Sequence, residues 1–236
     1  MELIRDKWNK EDGISFNKYL ESLKNIDRIE WSRRILNTEM NLLAIKTSVL
    51  KDIVNKISKG NYMSFLDLEL FDYFENTGIN ASLISKIKDF DLMKKYLDKY
   101  VLKIENWASC DSLSFDVKNN EDKFYNLSLE YIKSDKPFVR RVGLLILFSF
   151  INNDKYIDKI FSIMNKFKNE EHYYVNMMNA WLFCECFIKR REETLKFLKT
   201  HKLNKFTINK GISKCRDSFR VSIEDKEMLI SYRVKK

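Results

Sequence analysis

The sequence predicts an all-α chain, and three observations carry that expectation. Backbone breakers are scarce, with 5 Gly and a single Pro in 236 residues, too few for the many tight turns of a β-sandwich or barrel. Apolar side chains are plentiful, 44% of the total with 14% aromatic, which excludes a disordered tail or a collagen-like rod and supplies a sizeable core. Finally, apolar residues recur at helical spacing almost from end to end, in blocks roughly 15 to 20 residues apart. Helices of that length joined by short polar turns can bury one another's apolar faces in pairs, which makes an α–α superhelix, or solenoid.

Each element follows from local pattern. Ile14, Tyr19, Leu20 and Leu23 mark a first helix and Ile29, Trp31 and Ile35 a second, with a polar joint at Asn25 to Asp27. Leu42 to Ile57 and Ser64 to Phe74 come next, with breaks at Gly60 and at Asn76-Thr77-Gly78. Ser82 to Glu105 holds two helices joined near Lys88-Asp89, and the polar run Asp116 to Asp122 closes the following element. Leu127 to Ile132 belongs to a helix that ends before Pro137. Because a first helical turn leaves its N–H groups unused, Pro137 suits the start of the next helix, Phe138 to Phe150. Tyr156 to Phe167, Tyr173 to Ile188, Glu192 to Leu198 and Lys205 to Arg216 complete a set of about 12 to 14 helices. No exact period is visible, so the array is a degenerate, HEAT-like one. No linker stands out, so residues 1–236 read as a single domain, with 219–236 an irregular, basic C-terminal extension.

Charge is unevenly placed. The balance is 43 − 34 = +9, and residues 189–236 hold 15 Lys and Arg against 6 Asp and Glu, so the preceding residues are formally neutral. A basic terminal quarter attracts a polyanion: nucleic acid, an anionic membrane surface or an acidic protein. The four cysteines lack CxxC spacing and the N-terminus lacks a signal pattern, so a reduced, cytoplasmic chain is expected. The longest apolar stretch, Val142 to Ile151, is too short to span a bilayer. Two histidines, His172 and His201, do not make a His-rich metal centre, and no Walker loop, GxGxxG, HExxH or GxSxG occurs. No metal or cofactor is called for.

Four segments carry the candidate chemistry. Trp107-Ala-Ser-Cys-Asp111 places an indole and a carboxylate on one helical face, both suited to a cation. Asp111 could equally cap a helix running through Leu113 and Phe115, with Trp107 a core plug. Arg140 and Arg141 open a very apolar helix, where an unpartnered buried charge costs several kcal/mol. At least one must reach solvent, a carboxylate or a phosphate; an ion pair with a surface neighbour and a phosphate clamp both fit. The run Tyr173 to Phe183 is mostly helical core, with Asn176 and Asn179 able to line a groove and Trp181 near its end. Lys210, Lys214, Arg216 and Arg220, among hydroxyl residues, can touch a phosphodiester backbone or simply solvate a last helix.

In order and separation, these residues resemble the DNA alkylation repair enzymes, the AlkD-like alkylpurine DNA glycosylases built of HEAT-like repeats. The likeness is loose around Trp31-Ser32-Arg33-Arg34 and best between Trp107 and Arg220, and its specific parts are Trp107 with Asp111, Phe138-Val139-Arg140-Arg141, and Ala180-Trp181. The resemblance implies a concave basic surface on duplex DNA, with Asp111 as the catalytic carboxylate and Trp107 and Trp181 as paired aromatic walls. It makes Arg141 the phosphate-contacting arginine, with Arg140 the second choice. The substrates it implies are N3- and N7-alkylated purines in duplex DNA, excised while still stacked, by a monomer that needs no cofactor, membrane or protein partner. Some relatives lack the Asp and do not excise bases; here it is present. A nonenzymatic DNA-binding module and a helical protein-interaction scaffold are the alternatives.

Overall fold

A computed structural model describes residues 1–235, which form 14 α-helices and no strand. The chain divides into two compact units, Met1–Asp116 and Val117–Lys236. The first holds α1 (Lys10–Ser22), α2 (Ile29–Leu36), α3 (Thr47–Ile57), α4 (Tyr62–Leu66), α5 (Phe74–Ile84), α6 (Phe90–Val101) and α7 (Trp107–Asp111). The second holds α8 (Glu121–Tyr131), α9 (Pro137–Leu147), α10 (Asp154–Lys166), α11 (Tyr173–Lys189), α12 (Arg191–Leu198), α13 (Lys205–Asp217) and α14 (Ile223–Ile230).

In the first unit α5 is the central element, packed against α3, α4, α6 and α7. It is buried on nearly every side, including the polar residues Glu75, Asn76, Thr77 and Asn80. Three expectations are corrected here. Asn76-Thr77-Gly78 is no break but lies at the first turn of α5: Asn76 Oδ1 accepts from Tyr73 N at 2.8 Å and the Thr77 hydroxyl donates to Phe74 O at 2.7 Å, so the polar groups bond locally without ending the helix. Residues 42–46, expected to be helical, are not. The Glu75 carboxylate takes the amides of Leu43 (3.1 and 3.2 Å) and Ile45 (3.3 Å), and Ala44 between them has φ 56°. A buried carboxylate needs donors, and it draws them from a segment that would otherwise use them in α3. The expected helix from Ser64 to Phe74 is likewise cut to α4, with Glu69 at φ 49° in the chain beyond it.

In the second unit α11 packs between α9 and α13, with α8 against α9, α12 against α11 and α14 against α13. Contacts between α11 and α13 repeat every turn. The Thr207 hydroxyl donates to Asn176 Oδ1 at 2.8 Å; one turn on, Gly211 lies against Ala180 and Phe183; one turn further, Cys184 and Cys215 share a thiol hydrogen bond. Partners advance together along both helices, so α11 and α13 run parallel, as alternate helices of stacked pairs do. Pro137 stands at the start of α9, as expected. The C-terminal extension is not irregular throughout: Ser222 caps α14, Leu229 is fully buried, and Asp225 pairs with Arg191.

Candidate functional site

Five residues make a marginal helix, and α7 exists because its surroundings hold it. Asn106 caps it, its side-chain oxygen accepting from Ser109 N at 2.9 Å, while Ser109 and Cys110 are fully buried. With successive side chains about 100° apart, Trp107 and Asp111 lie about 40° from one another on the face opposite Ser109. Both are half-buried, so the indole and the carboxylate share a face that the core does not consume. The capping alternative for Asp111 is thereby corrected. Asn106 is the N-cap, Asp111 is the last residue of α7, and Leu113 and Phe115 follow outside any helix. Trp107 is not a core plug either.

In the second unit the two arginines part company. Arg140 is the ion-paired one: Nε and Nη2 donate to the two oxygens of Glu170 at 2.8 and 2.9 Å, and Nη1 donates to the carbonyls of Ser134 and Asp135 at 2.9 and 3.0 Å. Arg141 is no surface residue; it is 4% exposed and donates from Nη1 to Tyr174 O at 2.6 Å, tying α9 to the first turn of α11. Trp181 is half-buried, its ring edge-on to Phe148 with centroids 4.8 Å apart. The expectation that Asn176 and Asn179 line a groove is corrected, since both are buried. Asn176 Nδ2 donates to Glu170 O at 2.8 Å and its oxygen accepts from Asn204 and Thr207, while Asn179 Nδ2 donates to Met164 O at 3.2 Å. Asn176 thereby bridges backbone and side chains as an internal strut, whereas the Asn179 oxygen is buried without a hydrogen-bond partner.

Of the basic set, Lys210 and Arg216 are exposed and Lys214 half-buried; the Lys210 ammonium stands 5.9 Å from the Phe206 ring centroid. Arg220 forms a two-pronged pair with the carboxylate of Glu185, which lies inside the unit, so part of its charge is neutralised internally. A cavity of about 930 Å³, lined among others by Leu129, Ile132, Lys133, Lys166 and Phe167, opens beside the Arg140–Glu170 pair; Arg141 and Trp181 do not line it.

That pair sets local electrostatics. Burial alone would raise the Glu170 carboxyl, but the Arg140 guanidinium and the His172 N–H outweigh it and hold it below the usual carboxylate range. Burial pushes His172 below the ordinary histidine value, and its Nδ1 is buried without a hydrogen-bond partner. A depressed value means stability present above the unfolded-state pKa, about 6.5 for histidine, and lost as pH falls through the folded one. Glu170 titrates below that window, and His201, also lowered by burial, shares it. Replacing His172 with phenylalanine, which preserves the edge contact with Phe138, is expected to lessen the fall in melting temperature between about pH 7 and about pH 5 without abolishing it. An equal fall in both proteins would refute the assignment.

The residues around α7 that sequence reasoning missed are Asn106, Ser109, Thr77 and Tyr100. Asn106 was legible as a cap three residues before Ser109; the others are linked only through tertiary structure.

Stacked helix pairs, a short helix presenting an indole beside a carboxylate, and a basic C-terminal quarter together define a helical-repeat protein suited to a polyanion. Its sequence matches the family described as DNA alkylation repair enzyme over residues 16–215, and the chain belongs to that family. A role in DNA repair, with DNA as the partner, goes with that membership. Comparison with characterised proteins gave no match. Among the described residues, no helix is long and apolar enough to cross a membrane, and no group of three or more His, Cys, Asp and Glu could hold a metal ion.

Proposed function

We propose that the protein is a monofunctional DNA glycosylase that hydrolyses the N-glycosidic bond of N3- or N7-alkylated purines in duplex DNA, with residues 1–236 acting as one functional domain. The observation that carries this reading is the shared face of α7, where Asp111 and Trp107 stand together half-exposed while the opposite side of the helix is fully buried. Alkylation at N3 or N7 makes the purine cationic, so it departs without being protonated and no general acid is required. As the bond stretches, positive charge grows on the sugar. An ionised carboxylate fixed beside that sugar stabilises the charge and orients the water that captures it. An indole face adds on the order of 1 to 2 kcal/mol toward a desolvated cation.

Trp181 offers DNA an aromatic surface within the second unit, half-buried with its ring edge-on to Phe148. Arg141, 4% exposed and held by its bond to Tyr174 O, attracts the phosphate backbone by its charge at the start of α9 rather than by direct contact. Arg140 serves instead to brace that helix start against Glu170, since its donors are taken up by protein oxygens. Lys210, Lys214 and Arg216 contribute sequence-independent attraction at the C-terminal end of the array, and Arg220 contributes what its pairing with Glu185 leaves.

The test is release of free base from duplex DNA carrying 7-methylguanine, paired with binding measured against salt. Release is expected on the methylated duplex and not on unmodified DNA. Affinity is expected to fall linearly on a log–log plot, by a factor of about 10 or more between 50 and 200 mM salt if only a few phosphates are contacted. Salt-dependent binding without release would leave a DNA-binding module, and absence of both would leave a protein scaffold.

A further inference from the structure

We infer that Tyr100, together with Thr77, is a positioning residue for the glycosidic step: it sets the rotation of α7 and thereby the placement of Asp111 and Trp107. The inference rests on the glycosylase reading above. Every polar group of Ser109, the middle residue of α7, is held by a different residue. Its amide donates to the Asn106 side chain at 2.9 Å, and its carbonyl accepts from the Tyr100 hydroxyl at 2.9 Å. The Tyr100 oxygen is also 3.1 Å from Thr77 O, so its one proton is shared between the two carbonyls. The Thr77 hydroxyl donates to Phe74 O at 2.7 Å, which leaves the Ser109 hydroxyl as donor in the 2.7 Å contact between them.

These three attachments come from the chain just before α7, from α6 and from α5. They lie in the interior: Ser109 and Thr77 are fully buried and Tyr100 is 1% exposed. Burial also pushes the Tyr100 phenol well above its ordinary value, so it remains a donor wherever the protein is folded. Three attachments to one residue leave the helix neither rotation nor slide. Because Ser109 points inward, Trp107 and Asp111, two positions to either side, are turned outward as a pair. Without the Tyr100 hydroxyl, two interior carbonyls lose a donor and a five-residue helix loses the contact that fixes its orientation.

Reactions that depend on placement lose up to about 100-fold in rate for about 1 Å of displacement. The experiment is single-turnover base release with protein in excess over a 7-methylguanine duplex, together with affinity for the same duplex. Tyr100→Phe, which preserves volume, is expected to lower the rate constant by about 10-fold while affinity stays within about twofold. Thr77→Val, which removes the acceptor for the Ser109 hydroxyl, is expected to act in the same way, and it is the arm to read should the first variant not fold. Tyr96→Phe serves as control on the same helix, its hydroxyl bonding Asp67 at 2.9 Å, and is expected to match the wild type. With folded protein in saturating excess the amplitude is set by the DNA and the rate constant does not depend on the folded fraction, so the rate separates positioning from stability. A folded Y100F or T77V protein with the wild-type rate overturns the inference, as does a loss of affinity equal to the loss of rate. Should the wild-type arm itself release no base, the glycosylase reading falls, an outcome distinct from a wild-type rate in the variants.

Discussion

Asp111→Asn is expected to stop release of 7-methylguanine from duplex DNA, with a loss of at least about 100-fold in single-turnover rate, while affinity for the duplex stays within about twofold. Asparagine matches aspartate in shape and leaves the Asn106 cap and the buried Ser109 untouched, so α7 is expected to remain in place. What disappears is the negative charge. In the ground state that charge faces a substrate whose cationic part is the base; in the transition state the positive charge has moved to the sugar. An interaction that strengthens along this path changes the rate more than the affinity. If affinity fell as far as rate, Asp111 would be a binding residue. If neither changed, the carboxylate would have no part in the reaction.

The pairing of Trp107 with Asp111 was legible because it depends on local periodicity alone: four residues apart on any helix means one face. What makes that face available was not legible. Nothing local distinguishes a helix whose Trp points into the core from one whose Trp points out; the difference lies in Ser109, whose partners Thr77 and Tyr100 sit 32 and 9 residues earlier. The arginines show the same limit. Two charges at the start of an apolar helix must find partners, and sequence alone narrowed those partners to solvent, carboxylate or phosphate. That Arg140 would find Glu170, 30 residues on, and Arg141 a backbone carbonyl of α11 depends on how α9 and α11 stack.

Helix existence was easier to read than helix extent. Apolar spacing located nearly every helix, because amphipathic faces are a property of a short window. Errors fell where a polar side chain is satisfied over distance. Asn76 and Thr77 look like a turn until their distant partners are seen, Asn17 Oδ1 for the Asn76 amide and Ser109 for the Thr77 hydroxyl. Residues 42–46 look helical until Glu75 takes the amides of Leu43 and Ile45. The C-terminal extension read as irregular because its charge masked two buried anchors, Val221 and Leu229.

Alanine at Gly143 and at Gly78 is expected to move stability in opposite directions, although both glycines lie inside helices. At Gly143 an added Cβ would stand 2.8 Å from Ile132 Cγ2, 2.9 Å from Ile132 N and 3.1 Å from Tyr131 Cβ. Two of those atoms are backbone or attached directly to it, so α8 and α9 must separate, and the 2.8 Å bond from the Ser128 hydroxyl to Gly143 O must stretch with them. Overpacking of this kind costs about 1–3 kcal/mol, or very roughly 2 to 12 °C in melting temperature for a chain of this size. At Gly78 nothing lies within 4 Å of the added atom, so alanine only restrains the unfolded chain and favours the helix, a gain of about 0.4–1 kcal/mol. The consequence for function follows from position. Arg140 and Arg141 precede Gly143 by three and two residues on α9, so a displaced α9 carries both with it and loosens the two-pronged contact with Glu170. G143A is therefore expected to weaken DNA binding as well as stability, and G78A to leave binding unchanged. Thermal melting and duplex affinity, measured on both proteins, check this; equal melting shifts would mean that the close approach of α8 to α9 does not set the position of the arginines.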